Sequence, residues 1–327
     1  MVQRSTIVNN IFDESIPFKE KALQLWHYQF EKNIVYNNWC RLMQAEVSGA
    51  NLLSTIPFLP IGFFKTQKVI SGEFEPAYIF ESSGTTGMIN SHHYVKDAAL
   101  YRQSFTQGFE MFYGAIKDWC IVGLLPAYLE RKNSSLIVMV DALIKETTHP
   151  KSGFYLYEFD EVIKLLTRLE QQKQKVLLIG VTFALLDFAE QFPLPLKHTI
   201  IMETGGMKGR RKELTRQEVH AALIKSFGVE TIHSEYGMTE LLSQAYSKGD
   251  GLFHAPPWMK VLVRDEEDPL VVKEQGRGVL NIIDLANVDS CSFIATDDIG
   301  IVHADGSFEV HGRIDSSDIR GCSLLVV

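Results

Sequence analysis

Between Phe80 and Tyr94 the chain reads FESSGTTGMINSHHY, and the centre of that stretch is six small residues in a row: Ser82, Ser83, Gly84, Thr85, Thr86 and Gly87. Two glycines let the backbone turn tightly and aim several amides to one side, while the hydroxyls add donors that need no proton transfer. The stretch lies between a β-prone run at 77–80 and a second at HHYV. It is a turn or a cradle for phosphate oxygens. A Walker loop is excluded, because GxxxxGK[ST] is absent and a strand, not a helix, follows.

Working outward, apolar residues Leu23, Leu25, Trp26, Phe30, Ile34 and Trp39 recur at helical spacing and predict a helical region over 18–43. Downstream, strands are expected at 119–125, 176–181, 199–203 and 229–233. Helices are expected at 98–113, 134–145, 161–172 and 215–227, with Asp97 and Thr215 as N-caps. Beyond 250 the texture is β throughout (MKVLVRD, GVLNIIDL, GIVHADG, SFEVHG), with Ala304, Asp305 and Gly306 as a hairpin turn. The alternation predicts an α/β fold of layered sheets with helices on their faces, followed by a β-rich C-terminal region.

At 327 residues and 46% hydrophobic content, the chain has material for one large core or two unequal ones. A formal charge of −8 with dispersed lysines and arginines excludes a nucleic-acid footprint. The opening MVQRSTIVNNIFDESI has no apolar segment of the secretory kind, and the apolar run 176–186 is shorter than the roughly 20 residues of a membrane span. A cytoplasmic protein without a membrane span is expected. Cys40, Cys120, Cys291 and Cys322 have no CxxC spacing, so neither zinc nor a disulfide framework is indicated, and the first three read as core thiols.

Three further clusters carry chemistry. In IHSEYGMTE, Tyr236 offers an aromatic face, Thr239 a hydroxyl and Glu240 a carboxylate for Mg²⁺, around Gly237; a capped helix start is the alternative. In IATDDIG, Asp298 can accept both hydroxyls of a ribose, and in HGRID, Arg313 can neutralise phosphate charge; a hairpin with a surface ion pair accounts for them equally. Adjacent His92 and His93 either assist at the phosphate loop or, as the commoner case, are exposed strand residues on opposite faces, and His233 either lines a pocket or is a hydrogen-bonded core residue. Phe183, Phe188, Tyr236 and Trp258 are expected near one apolar pocket.

Taken in order, SSGTTG, YGMTE, TDDIG and GRID resemble the signature of the acyl-adenylate-forming superfamily over about residues 77–321. Within it, PFLPIGFFK (57–65), METGGMKGRR (202–211) and DIRGC (318–322) resemble the LuxE type of acyl-protein synthetase. The resemblance implies an N-terminal adenylate-forming domain over 1–311 without the superfamily's usual C-terminal domain, and a hinge-like tail over 312–327. It implies ATP and Mg as cofactors, with Ser82, Ser83, Gly84, Thr85, Thr86 and Gly87 around the phosphates and Gly205 and Gly206 against adenine. Tyr236, Gly237, Asp298 and Arg313 would serve the nucleotide, Thr239, Glu240 and Arg313 the reaction, Glu240 the metal, and Asp315 the hinge. Two departures stand out. Met88 to His92 replace the usual proline and lysine after the phosphate loop, leaving Mg²⁺, Arg210 or Arg211 to supply the charge, and Asp297 replaces the glycine of TGD.

The chemistry so implied is activation of a fatty or aryl carboxylic acid as acyl-AMP with pyrophosphate release, then transfer to a thiol. Cys322 resembles the self-acylated thiol, with Arg320 nearby to favour thiolate; from the residues alone it reads first as a cysteine packed inward from an edge strand at 323–327. Alternatives are a ligase that loads coenzyme A or an acyl-carrier protein, and a catalytically weak nucleotide-binding regulatory subunit. The implied partners are an acyl-CoA-reductase-like subunit or an acyl-carrier or acyltransferase protein.

Overall fold

The computed structural model describes residues 2–45, 52–82, 89–125, 133–156, 158–205 and 214–314. Three helices open the chain: α1 (Arg4–Asn10), α2 (Phe18–Lys32) and α3 (Ile34–Leu42). The helical region expected over 18–43 is thus divided at Asn33, whose side chain accepts from the Tyr36 N–H and caps α3. A short strand β1 (Leu59–Pro60) and helix α4 (Phe63–Thr66) lead to a hairpin of β2 (Tyr78–Glu81) and β3 (His92–Val95), with Phe80 opposite His93.

The alternating region follows as α5 (Ala98–Tyr113), β4 (Cys120–Leu124), α6 (Ser135–Thr147), β5 (Gly153–Phe154), α7 (Phe159–Gln171), β6 (Val176–Gly180), α8 (Thr182–Gln191), β7 (Thr199–Glu203), α9 (Arg216–Phe227) and β8 (His233–Tyr236). The β-rich end comprises β9 (Ala245–Ser247), β10 (Leu252–His254), β11 (Met259–Arg264), β12 (Val272–Lys273), β13 (Gly276–Asp284), β14 (Phe293–Val302) and β15 (Phe308–Arg313). One sheet runs β12-β11-β13-β14-β15-β10-β9-β8-β7-β6-β4-β5, with β1 added to β14. From β5 to β8 the pairing is parallel. At β8–β9 it turns antiparallel.

In the parallel half, successive side chains bury against different helices, as a period of two requires. Ile121, Leu177, Ile179 and Met202 join a core with α5 and α6. Cys120, Val122, Val176, Leu178 and Ile201 join a second with α7, α8 and α9. Both predicted caps form: Asp97 accepts from Ala99 and Leu100, and Thr215 and Glu218 close a reciprocal capping box.

Two elements differ from expectation. Helix α8 begins two residues after β6; strand and helix are both buried there, so the run shows no hydrophobic period by which to separate them. The strand expected at 229–233 instead starts at His233 and reaches Tyr236, carrying the tyrosine of YGMTE within the sheet. Among the described residues no helix is long and apolar enough to cross a membrane.

Candidate active site

Ser82 follows β2 and Ser91 precedes β3. The Ser91 amide donates to the Ser82 hydroxyl at 2.9 Å, and the Ser82 amide donates to the Ser91 carbonyl at 3.2 Å, which extends the pairing of the two strands. Ser91 is buried, and its hydroxyl lies beside the carboxylate of Glu240. Glu240 is itself buried, which raises its pKa; Ser91, Arg313 and Lys65 pull the other way. The loop of YGMTE therefore lies against the β2–β3 hairpin, and no helix begins at Thr239 or Glu240.

Tyr236 and Arg313 converge on Asp298. The tyrosine hydroxyl donates to one carboxylate oxygen at 2.7 Å and Arg313 Nε to the other at 2.7 Å. Asp298 and Arg313 face each other across the β14–β15 pair, so sheet register brings TDDIG and GRID together. TDDIG lies inside one continuous ten-residue strand, with Asp297 exposed and Asp298 buried. A Cβ on Gly300 would overlap the Glu309 carbonyl, so β15 approaches this closely only because position 300 is glycine. The Tyr236 ring packs between Phe253 and Phe308.

Residues outside the four motifs fix the Thr239–Glu240 loop. His93 Nδ1 lies 2.8 Å from the Thr239 carbonyl oxygen, and its Nε2 lies 2.9 Å from Asn287 Oδ1. The Asn287 amide nitrogen donates to the Glu240 carbonyl at 2.8 Å. Burial takes the His93 pKa down to about 4 despite both acceptors, so the ring is neutral at pH 7 and donates to one of them. Of the histidine pair, His93 is thus a buried clamp, not an exposed strand residue. Asp284 holds the following turn by accepting from the Leu242 and Ser243 amides and the Ser243 hydroxyl.

Below the loop of METGG lies Glu203, a buried carboxylate that accepts from Thr182, Ser234 and the Gly205 amide and faces Arg216 and His220. Burial alone would raise its pKa; these partners outweigh it and bring it to about 2. Gly205 is exposed at φ +74°, a conformation that favours glycine. Glu235, on the opposite face of β8 from Tyr236, has no hydrogen-bond partner among the described residues. Burial, then the charge of Glu203, raises its pKa to about 8.

Ser82, Tyr236, Gly237, Thr239, Glu240, Asp298 and Arg313 are accordingly brought to one edge of the sheet, around the hairpin and the start of β9. Ser83, Gly84, Thr85, Thr86, Gly87, Gly206, Asp315 and Cys322, with Arg210 and Arg211, lie outside the described residues. The expected aromatic pocket does not assemble. Phe188 packs with Phe159 and Phe227 in the second core, whereas Trp258 donates to Ser104 and lies against Phe12 in the first. His233 bonds to Tyr113, the core reading. Cys40, Cys120 and Cys291 are buried, and burial raises each thiol pKa. Missed by sequence reasoning were Lys65, Ser91, Asn287, Asp284, Glu203 and Glu235; the only signal for Lys65 was its place in PFLPIGFFK.

Solved structures with this fold include ATP-bound MatB from Rhodopseudomonas palustris (TM-score 0.54, 17% identity, 72% of this chain) and an ATP-bound chimera of RpMatB and BxBclM (TM-score 0.55, 16% identity, 74% of this chain). The likeness establishes the fold, that of adenylate-forming enzymes, and this chain spans about half of those chains (47% and 49%). Among curated proteins, the long-chain-fatty-acid–luciferin-component ligase of Aliivibrio fischeri is 24% identical over 96% of this chain and 89% of its own length. The ligase of the same name from Vibrio harveyi is 24% identical over 91% and 84%. The family model of LuxE acyl-protein synthetases matches residues 11–327, and the chain belongs to that family of enzymes.

Proposed function

We propose that this protein joins a carboxylic acid to AMP at the expense of ATP and then passes the acyl group to a thiol, with Cys322 as the acceptor. The observation that carries the reading is that Ser82 and Ser91 bond beside Glu240, and that Arg313, near enough for its charge to act on Glu240, meets Tyr236 on Asp298, which makes one edge out of residues more than 200 positions apart. In the first step a carboxylate oxygen attacks the α-phosphorus, the bond to the bridging oxygen breaks and pyrophosphate leaves; no proton moves. Alignment and charge stabilisation are then the whole task, which suits neutral donors and a few cations. In the second step a thiolate attacks the acyl carbon and AMP departs.

The phosphates would lie along Ser82 to Gly87, the base near Gly205 and Gly206, and the ribose at Asp298, where the hydroxyls would share or replace the bonds from Tyr236 and Arg313. Glu240 suits Mg²⁺: its carboxylate is buried, oxygen-bearing and without an ion-pair contact among the described residues. Held by Glu240, the metal would supply charge neutralisation for the phosphates. Residues 1–311 would form the adenylating domain and 312–327 a hinge-like tail carrying Cys322 to a partner, either an acyl-CoA-reductase-like subunit or an acyl-carrier or acyltransferase protein. The names of the curated relatives support a fatty acid as substrate.

Incubation with ATP, Mg²⁺ and a panel of carboxylic acids tests this, with pyrophosphate release and intact protein mass read together. Acid-dependent pyrophosphate with a mass gain lost in Cys322→Ala is the expected result. Pyrophosphate without a mass gain, rising when coenzyme A or a carrier protein is added, would transfer the second step to those acceptors. No acid-dependent pyrophosphate across the panel would sink the activation step itself.

A further inference from the structure

Glu203, at the end of β7, keeps a carboxylate in the interior, 6% exposed. A well-packed apolar side chain in place of a buried ion pair is often as stabilising, so the carboxylate is explained by what it holds. One of its oxygens accepts from the Gly205 amide at 2.8 Å and from the Thr182 hydroxyl at 3.1 Å. The other accepts at 2.7 Å from Ser234, its neighbour across the β7–β8 pair.

The backbone of the METGG loop is thereby fixed from both sides. While Glu203 takes the Gly205 amide, the Gly205 carbonyl accepts from the Thr182 amide at 2.9 Å, and the Thr204 amide donates to the Gly180 carbonyl at 3.1 Å. These bonds hold Gly205 at φ +74°, yet a Cβ there would meet nothing within 4 Å. The conformation, not crowding, calls for glycine, and the space beside it is open. A backbone set in advance with an open face receives a flat ring without reorganising.

Glu203 also reaches toward the other end of the nucleotide site. Arg216 Nε lies 3.6 Å from its second oxygen, and Arg216 Nη1 donates to the Val310 carbonyl at 3.0 Å. The guanidinium lies 5.1 Å over the ring of Phe253, which packs on Tyr236. Val310 belongs to β15, the strand that carries Arg313. One carboxylate therefore joins Gly205 to the strands that present Tyr236 and Arg313.

Resting on the proposed nucleotide reading, with the base near Gly205 and the ribose at Asp298, we propose that Glu203 is a positioning residue for ATP: it sets the Gly205 platform and, through Arg216, the placement of that platform relative to the ribose contacts. The consequence is selectivity for the base. UTP carries the same ribose and phosphates, so it meets the Asp298 end equally, but its single ring covers less of the Gly205 surface.

The test is calorimetric binding of ATP and of UTP to the full chain, with Mg²⁺ and without acid. The wild type should favour ATP by about tenfold or more, and Glu203→Ala should weaken ATP by about that factor while leaving UTP within about twofold. Glu203→Gln keeps one carbonyl oxygen for the Gly205 amide; its ratio should fall between the two, and it carries the test if the alanine variant fails to fold. In turnover with an acid that supports pyrophosphate release, the loss should appear in KM for ATP and not in kcat. Equal weakening of ATP and UTP, the mark of a merely structural role, overturns the inference, as does a wild type that binds both alike or folded variants that keep the wild-type ratio. Acid-dependent pyrophosphate release would in those cases leave the activation reading standing, whereas a wild type that binds neither nucleotide removes both.

Discussion

Asp298 binds two groups at once, and their costs differ on its removal. Arg313 is exposed and can turn to water, but the Tyr236 hydroxyl is buried between strands and would lose its acceptor. Asp298→Ala should therefore lower stability by about 1–3 kcal/mol in urea unfolding, and raise KM for ATP under the proposed role. Lys65 presents the opposite case. It is exposed and its charge acts on the Glu240 carboxylate, so under the proposed function it would be a cation for the phosphates where the sequence has no lysine after its glycine-rich loop. Lys65→Ala should raise KM for ATP several-fold while changing stability by less than about 0.5 kcal/mol. Glu235 makes a pH prediction without any ligand. Its folded pKa of about 8 exceeds its ordinary value near 4.5, so the folded state binds the extra proton between those values. Stability is then fullest below about pH 4.5 and is lost as pH rises through 8. Glu235→Gln, which cannot ionise, should melt close to wild type at pH 5 and several degrees higher than wild type at pH 9.

Among the elements, the β14–β15 pair depends on a position with no side chain. Gly300→Ala would force a methyl against the Glu309 carbonyl and separate the strands that align Asp298 with Arg313; a loss of about 1–3 kcal/mol is expected, with weaker ATP binding measured by calorimetry. The hairpins and the capped helices α5 and α9 were legible because their signals are local: alternation, a turn glycine, or an aspartate or threonine ahead of an apolar stripe. The boundary between β6 and α8 was not, since burial on all sides removes periodicity. At the site, motif residues could be found by their order, whereas their supports could not. Nothing near His92-His93 says which ring turns inward, and the partner that answers, Asn287, lies 194 residues on. Glu235 reads as half of an ordinary strand pair until α5 covers it. Two phenylalanines and a tryptophan assigned to one pocket instead fill separate cores, because composition says that an aromatic is buried but not against which face.

At the scale of the molecule, the earliest helices and the latest strands are joined by polar contacts. Gln29 on α2 is fully buried, donating to the carbonyls of Asn287 and Val288 and accepting from the Ser292 amide, while Asn33 donates to the Ser290 carbonyl. Asn287 in turn holds Glu240 and His93, so the Thr239–Glu240 loop is anchored through a segment that α2 must reach across more than 250 residues of sequence. Such long closures fold slowly. For a chain emerging from the ribosome, α2 must wait exposed until the stretch around Ser292 has been made, and the nucleotide site can take shape only after that meeting. ATP affinity would then serve as a readout of completed synthesis, and nascent fragments ending before Asn287 should show none.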